Sequence, residues 1–337
     1  MRKSIIPVFI PHLGCPHDCV FCNQKRISGS LLPASPEDVV KAIDEALEKC
    51  ENAELAFYGG SFTAISMDEQ CALLSAAAPY LAAGRITSIR VSTRPDAISE
   101  DILSLLWDRG VRTIELGSQS MMDCVLSASW RGHTAADTEK AAKMIKSRGF
   151  SLVLQMMTGL PGSDREKDII TAEKIAALKP DGVRIYPTVI IRDTALADMW
   201  AEGKYEEHSV EAAAEVCSEI LPIFEKAGIK VIRLGLNPSD ELSGGDALGG
   251  AYHPALGEIV KSRVLLKKAR EALKGVKAGE NVVLRVNPSC LSQMIGQKRS
   301  NIIKLSEEFS LNSLSVKSAD VEIGEIIVEF VAKEKSL

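Results

Sequence analysis

The chain has 337 residues, 46% of them hydrophobic and 25% charged, which is enough for one large domain and a smaller one. No apolar run approaches the roughly 20 residues of a membrane-spanning helix, and Pro7 interrupts the short apolar stretch after the basic start. The sequence therefore predicts a cytoplasmic protein with no membrane segment or signal peptide, and its net charge of −5 argues against a general nucleic-acid-binding protein.

Strand-like and helix-like segments alternate along the first 235 residues. Ser35 is a suitable N-cap for the first helix, and Gly110, Gly149 and Gly228 are placed to end later helices. Repeated βα units predict a parallel sheet with right-handed crossovers, here an α/β fold built as a partial, TIM-like (β/α)6 barrel. The predicted strands are 5–10, 55–58, 88–92, 113–116, 152–157, 182–185 and 230–234, and the predicted helices are 36–50, 68–81, 100–109, 134–148, 164–178 and 210–227.

Polar and glycine-rich segments follow the strands rather than precede them. In a parallel barrel the chemistry lies at the carboxyl ends of the strands, so these segments are expected to meet on one rim. They are Gly59-Gly60-Ser61, Ser92-Thr93-Arg94, Gly117-Ser118-Gln119, Gly159-Leu160-Pro161-Gly162 and Tyr186-Pro187.

Three domains are predicted: a barrel over residues 1–238, a loop and linking helix over 239–278, and a small basic α/β domain over 279–335. Residues 239–254 are rich in glycine and acidic residues and predict a loop or lid. The segment Lys261–Lys304 has eleven basic and two acidic residues, a net charge of +9, so the rest of the chain sums to −14. This asymmetry predicts an acidic body with a basic appendage.

Three cysteines follow the first strand with the spacing C-x3-C-x2-C. Thiolates from one loop at Cys15, Cys19 and Cys22 can bind three irons of a [4Fe–4S] cubane and leave the fourth iron open. A structural zinc site is the alternative, with His12 or His17 as the fourth ligand. The other five cysteines are interpreted as ordinary core or surface thiols: Cys50, Cys71, Cys124, Cys217 and Cys290.

This cysteine motif, with Phe21 just before its last cysteine, resembles the signature of the radical S-adenosylmethionine (SAM) superfamily. The resemblance implies that the open iron chelates SAM and that the reduced cluster cleaves SAM to a 5′-deoxyadenosyl radical. It also implies that Phe21 lies near the adenine.

Further motifs extend the resemblance. Gly59-Gly60-Ser61 resembles the motif whose backbone binds the SAM amino group, with Ser61 where many members have Glu; a plain turn is the alternative. The segment Ser92–Asp96 resembles a "TRPD" signature, which implies a contact by Thr93 or Arg94, unless Asp96 serves only as a helix cap.

The next two strands carry similar signatures. The resemblance implies that Gln119 contacts SAM, that Arg131 neutralises its carboxylate and that Gln155 lies near it. His133 is interpreted as structural or as a helix cap. Met156 and Met157 are interpreted as packing residues.

In combination these segments, together with 183–194, resemble the Elongator catalytic subunit family of tRNA-modifying radical SAM proteins over residues 1–235. That family carries an acetyltransferase domain after the radical SAM domain and a basic N-terminal extension. We expect neither here, so the resemblance implies radical generation and an RNA substrate rather than the whole reaction.

The segment Ile295–Ile303 resembles a KH-type loop that opens a helix, although it lacks the second glycine of GXXG. In this KH-like interpretation Lys298 and Arg299 contact RNA phosphates. A solvated helix start is the alternative interpretation.

Three hypotheses remain open at this point. The chain is a radical SAM enzyme acting on tRNA or another RNA, a radical SAM enzyme with a small-molecule substrate in the manner of the porphyrinogen oxidases, or a non-catalytic RNA-binding module with a structural metal. The first two require an external low-potential electron donor. The sequence specifies neither a catalytic side chain nor an oligomeric state.

Overall fold

The computed structural model describes residues 4–10, 17–23, 34–238 and 242–331. The chain divides into two compact units, Met1–Ser209 with Ile220–Tyr252, and Val210–Glu219 with His253–Leu337. Residues 210–219 and the helix that begins at Leu256 thus pack in the second unit. The functional boundaries at residues 238 and 278 stay a prediction.

Seven parallel strands form the main sheet of the first unit, in the order β1-β2-β3-β4-β5-β6-β8. The sheet is curled, because the Arg184 side chain on β6 reaches the hydroxyl of Tyr58 on β2 at 3.2 Å. The predicted partial barrel is confirmed. The strands are β1 Ser4–Ile10, β2 Ala53–Gly59, β3 Ile86–Thr93, β4 Val111–Gln119, β5 Ser151–Thr158, β6 Gly182–Pro187, β7 Val189–Ile191, β8 Lys230–Leu234 and β9 Ala247–Gly250.

Helices connect the strands and cover the convex face of the sheet, where Leu55, Phe57, Val91 and Leu116 are fully buried. Ser35 caps the first helix with a reciprocal capping box, as its position predicts. The helices are α1 Pro36–Leu47, α2 Met67–Ala82, α3 Glu100–Asp108, α4 Asp123–Ala128, α5 Ala135–Ser147, α6 Arg165–Ala177, α7 Ala195–Ala201 and α8 Val210–Lys226.

The structure corrects the predicted loop over 239–254 in its second half. Residues 247–250 form β9, which pairs antiparallel with β7. A four-residue strand with two glycines has too little alternation to be recognised in a sequence. Gly250 is required there, because its φ is +86° and an added Cβ would lie 2.7 Å from the Thr188 carbonyl oxygen.

The second unit contains a three-stranded sheet in the order β11-β10-β12, in which β10 runs parallel to β11 and antiparallel to β12. The predicted α/β arrangement of this part is confirmed. Its core includes Leu265, Leu284, Met294 and Leu305. The elements are α9 Leu256–Ala272, β10 Asn281–Val286, α10 Leu291–Ile295, α11 Ser300–Glu308, β11 Ser313–Ser318 and β12 Ile326–Phe330.

Within the described ranges, no helix is both long enough and apolar enough to cross a bilayer.

Candidate functional site

The cysteine loop lies at the carboxyl end of β1. Cys19 is buried, with 5% of its surface exposed, and Cys22 is half-buried; Cys15 lies outside the described residues. The Cys22 N–H donates to the Cys19 carbonyl oxygen at 2.9 Å, and the Val20 carbonyl accepts from the Leu196 N–H at 2.8 Å. The two described cysteines therefore share a short turn that is fixed to the start of α7.

Arg131, which follows α4, reaches this turn. Its Nη1 donates to Cys19 Sγ at 3.4 Å and its Nη2 to the Gly117 carbonyl oxygen at 2.6 Å. Only 8% of Arg131 is exposed, and its Nε has no hydrogen-bond partner among the described residues. The Arg131 guanidinium therefore places a positive charge directly against the sulfur of a candidate cluster ligand.

These residues fit an iron–sulfur cluster. The ligand atoms are soft sulfurs, and a buried cation beside one of them offsets part of the negative charge of a thiolate-bound cluster. Among the described residues, no group of three His, Cys, Asp or Glu side chains is close enough together to hold a metal ion. Two of the predicted ligands, Cys15 and His12, lie outside the described residues. The three-cysteine ligand set stays a prediction.

Gly117 lies directly against the end of the Arg131 side chain. An added Cβ would lie 2.8 Å from Arg131 Nη2 and 2.9 Å from Gln119 Nε2. Gln119, which has a φ of +64°, accepts a hydrogen bond from Gln155 Nε2 at 3.3 Å. The structure thus brings Cys19, Arg131, Gln119 and Gln155 together. Their contacts with SAM stay predictions.

Ser61 and Thr93 lie in a separate buried group. Ser61 Oγ is 2.9 Å from Thr93 Oγ1 and accepts from the Arg94 N–H at 3.1 Å. The Arg94 side chain donates to Asp96 at 2.9 Å and to the Arg131 carbonyl oxygen at 2.7 Å. Arg94 therefore links this group to the backbone of Arg131, whereas SAM contacts by Ser61 and Thr93 stay predictions.

The Gly59-Gly60 pair closes β2. Gly59 is exposed with a φ of +92°, and an added Cβ would lie 2.8 Å from the Ile10 carbonyl oxygen. The Gly60 N–H donates to that same oxygen at 2.7 Å. The two glycines thus fix the end of β2 against the end of β1, directly before the cysteine loop.

His133 is a buried, neutral imidazole. Burial, together with the Arg131 charge, lowers its pKa to about 4. Its Nε2 lies 3.2 Å from the Ser118 carbonyl oxygen. The N-cap of α5 is Thr134, so His133 packs behind the cap.

The β5–α6 loop is held by three polar residues from outside it. Asp168 accepts from the Gly159 N–H at 2.9 Å, Tyr205 donates to the Gly159 carbonyl oxygen at 2.6 Å, and His208 Nε2 lies 3.1 Å from Thr158 Oγ1. Burial raises the pKa of Asp168 to about 6 and lowers that of His208 to about 4. These residues hold the Gly159–Gly162 turn, and the sequence analysis assigned none of them a role.

A second missed feature is a row of charges on the concave face of the sheet. Arg90 on β3 bonds to Glu54 on β2 at 2.7 Å and to Glu115 on β4 at 2.6 Å. Arg184 on β6 bonds to Glu115 at 2.8 Å. Two cations and two anions therefore neutralise one another beneath the rim.

In the second unit, Lys298 and Arg299 lie in the loop between α10 and α11 and are both exposed. Both have positive φ, +51° and +62°, which turns the backbone sharply after Gly296. Asn301 Nδ2 fixes the loop by donating to the Gln293 carbonyl oxygen at 3.1 Å. The structure shows a fixed basic turn before α11, and its contact with RNA stays a prediction.

The basic appendage is less basic than its sequence suggests. Several of its cations are bound to carboxylates, for example Lys267 to Glu215 at 2.6 Å, Arg270 to Glu308 at 2.8 Å and Arg285 to Glu329 at 2.9 Å. Counted over its own ranges, the second unit has fourteen basic and thirteen acidic residues, a net charge of +1.

Comparisons with known proteins agree with this geometry. Residues 9–175 match the Radical SAM superfamily, and residues 180–265 match the Radical_SAM C-terminal domain. The chain is 29% identical over 266 residues to the tRNA uridine(34) acetyltransferase of Methanocaldococcus jannaschii, a match that covers 66% of this chain and 49% of that protein. It is 33% identical over 138 residues to human Elongator complex protein 3, which covers 40% of this chain and 25% of that one.

The fold also matches that of a solved structure. The archaeal Methanocaldococcus infernus Elp3 with an N-terminal deletion superposes with a TM-score of 0.63 at 25% identity, over 79% of this chain and 63% of that chain. The predicted resemblance is confirmed. The chain spans about half the length of the first of these relatives.

Proposed function

The chain belongs to the radical SAM superfamily, and from that premise we propose that it uses a SAM-derived radical to modify tRNA. The observation that carries the proposal is the Arg131 guanidinium on Cys19 Sγ at 3.4 Å, at the carboxyl edge of a curled parallel sheet. A buried cation on a loop cysteine is expected where a thiolate serves as a ligand and not as an inert core thiol.

The cofactors are a [4Fe–4S] cluster and SAM, as in the rest of the superfamily. Cys15, Cys19 and Cys22 would hold the cluster. When bound, the cluster supplies one electron from an external donor and cleaves SAM to methionine and a 5′-deoxyadenosyl radical. The protein's own contribution is to bind and orient: Arg131 offsets negative charge at Cys19, and the Asp168, Tyr205 and His208 side chains fix the β5–α6 turn.

A tRNA substrate is proposed from the relatives, which include a protein named tRNA uridine(34) acetyltransferase. We also propose a cytoplasmic location, which is consistent with a tRNA substrate. The exposed pair Lys298 and Arg299 is proposed to contact phosphates of that RNA.

Anaerobic reconstitution with iron and sulfide tests the proposal. We expect cubane absorbance, release of 5′-deoxyadenosine from SAM after reduction, and loss of both in Cys19→Ala. Cys71→Ala, on helix α2, is the matched control and is expected to behave as wild type. Zinc in place of iron, with no 5′-deoxyadenosine, would instead support a non-catalytic module.

The substrate is tested by comparing the modified nucleosides of tRNA from cells with and without this protein. A nucleoside that disappears with the gene and returns with wild type but not with Cys19→Ala identifies the product. Identical nucleoside profiles, with 5′-deoxyadenosine still released in vitro, would shift the proposal to another substrate.

A further inference from the structure

The concave face of the main sheet carries a group of side chains that is not among the residues assigned above to the cluster or to SAM. Tyr58 lies one residue before the end of β2, and Arg184 and Tyr186 lie on β6. Arg184 Nη2 donates to the Tyr58 hydroxyl at 3.2 Å, and Arg184 Nη1 donates to the Tyr186 hydroxyl at 3.4 Å. One guanidinium therefore fixes two phenol oxygens from opposite sides of the half-barrel.

Arg184 is not available to an anionic ligand, because Glu115 already binds it. Arg184 Nε donates to Glu115 Oε2 at 2.8 Å and Nη2 donates to Oε1 at 3.0 Å, a bidentate pair. Arg90 and Glu54 complete the neutral network. The face beneath the rim therefore favours an uncharged ligand.

The two tyrosine hydroxyls accept from Arg184, which leaves the hydroxyl protons to donate elsewhere. Neither proton has an acceptor among the described residues, and both side chains are half-buried. Burial raises the pKa of Tyr58 to about 12 and also raises that of Tyr186, so both hydroxyls keep their protons at neutral pH. The face thus presents two fixed, neutral O–H donors.

Apolar side chains lie beside each of these donors. Phe9 on β1 is the register partner of Tyr58 on β2, and it is 41% exposed although it is aromatic. Tyr186 packs against the apolar cluster of Val125, Met157 and Leu160, which Phe21 of the cysteine loop also contacts. Exposed aromatic surface next to polar donors is suited to stacking a flat ring.

We propose that this concave face, through Phe9, Tyr58 and Tyr186, binds the target base of the RNA, a flat uncharged ring with carbonyl oxygens such as a pyrimidine. The ring stacks on Phe9, and the two tyrosine hydroxyls donate to its carbonyl oxygens, as flipped bases are held elsewhere. The inference rests on the proposed function for the identity of the RNA, and it adds the residues that select the base.

Photo-crosslinking tests the site without any turnover. The probe is a tRNA transcript in which uridine is replaced by 5-bromouridine, which keeps both carbonyl oxygens; the protein is the full chain with cluster and SAM. We expect crosslinked nucleotides on peptides that contain Phe9, Tyr58 or Tyr186. Yields should fall about fivefold in Tyr58→Phe and in Tyr186→Phe, and further in the double variant, since each loses one hydrogen bond.

Tyr80→Phe is the matched control, because this half-buried tyrosine lies on α2 and, among the described residues, its hydroxyl donates to Asp44. It should crosslink as wild type. Phenylalanine keeps each ring in place, and circular dichroism verifies that the variants are folded. Crosslinks confined to other peptides, or a double variant that crosslinks as wild type, would overturn the inference.

The proposed reaction and the proposed base site can each fail without the other. Crosslinks on the concave face without 5′-deoxyadenosine release would reject the proposed reaction and support the base site. Modified tRNA without such crosslinks would support the reaction and reject the site.

Discussion

Arg131 places positive charge directly against the cysteine loop. A cation and a hydrogen bond at a ligand sulfur favour the reduced, more negative state of a cluster and so raise its reduction potential. We expect Arg131→Gln to lower the cluster midpoint potential by about 40 mV, equivalent to about 1 kcal/mol for one electron. Potentiometry followed by electron paramagnetic resonance measures this, and the exposed Arg85→Gln is the control. An unchanged midpoint would show that Arg131 is only structural.

A side chain at Gly117 would displace the ends of the Arg131 and Gln119 side chains, although the glycine's own backbone conformation is one that alanine adopts. An added Cβ would lie 2.8 Å from Arg131 Nη2, whereas at Gly244, also without a positive φ, it would meet nothing within 4 Å. We expect Gly117→Ala to lower the free energy of unfolding by about 1–3 kcal/mol, as overpacking does, and Gly244→Ala to change it little. Urea unfolding of the cluster-free protein gives both values. Equal stabilities would contradict the crowding seen here.

Many single residues of the candidate site could be predicted from the sequence. The motifs pointed to Cys19, Arg131, Gln119 and Gln155, which the structure brings together. Their partners were not predictable, because the contact of Arg131 with Cys19 joins residues 112 positions apart. Ser61 and Thr93 show the converse: the motif was recognised, but only the structure shows that their hydroxyls face each other.

The β5–α6 loop is held by two groups whose pKa values are shifted in opposite directions. In the folded state His208 binds no proton above about pH 4, whereas in the unfolded chain it binds one below about 6.5. Lowering the pH from 6.5 therefore favours the unfolded state. Asp168 acts in the opposite direction between its ordinary pKa and about 6, because the folded protein takes up the proton.

We expect His208→Gln to reduce the pH dependence of stability. The difference in free energy of unfolding between pH 7 and pH 5 should shrink by about 1–2 kcal/mol, because one histidine no longer takes up a proton on unfolding. Urea titrations at both pH values measure it, and His253→Gln controls for the loss of an imidazole. An equal difference in His208→Gln and wild type would show that His208 titrates alike in both states.

The elements themselves were largely predictable. All seven strands of the main sheet were found from apolar runs, although β4 extends to Gln119, beyond the predicted end at residue 116. The strands β7 and β9 and the helices α4 and α7 were missed, because each has seven residues or fewer and therefore little periodicity. Short elements at the rim are fixed by tertiary contacts, such as that between Leu196 and Val20.

For the whole molecule, charge counted along the chain was a poor guide to charge in space. The +9 of Lys261–Lys304 included cations that pair with carboxylates from other parts of the second unit, such as Glu215 and Glu329. A one-dimensional window cannot include such partners. The positive charge at Lys298 and Arg299 is different, because both side chains are exposed in the turn before α11. In the described part of the chain, no carboxylate is bound to either of them.

That local charge leads to a prediction for RNA binding by the whole protein. If two phosphates are bound at this turn, Lys298→Glu/Arg299→Glu should weaken tRNA binding at least tenfold near physiological salt. It should also reduce the slope of log affinity against log salt by about 1.5–2, since about 0.7–0.9 counterions are released per phosphate contact. Filter binding over a range of salt concentrations gives both numbers.

Lys274→Glu/Lys317→Glu, an equal charge reversal at exposed positions of the same unit, should leave the slope nearly unchanged. A similar loss in both double variants would mean that net charge, and not the turn before α11, attracts the RNA.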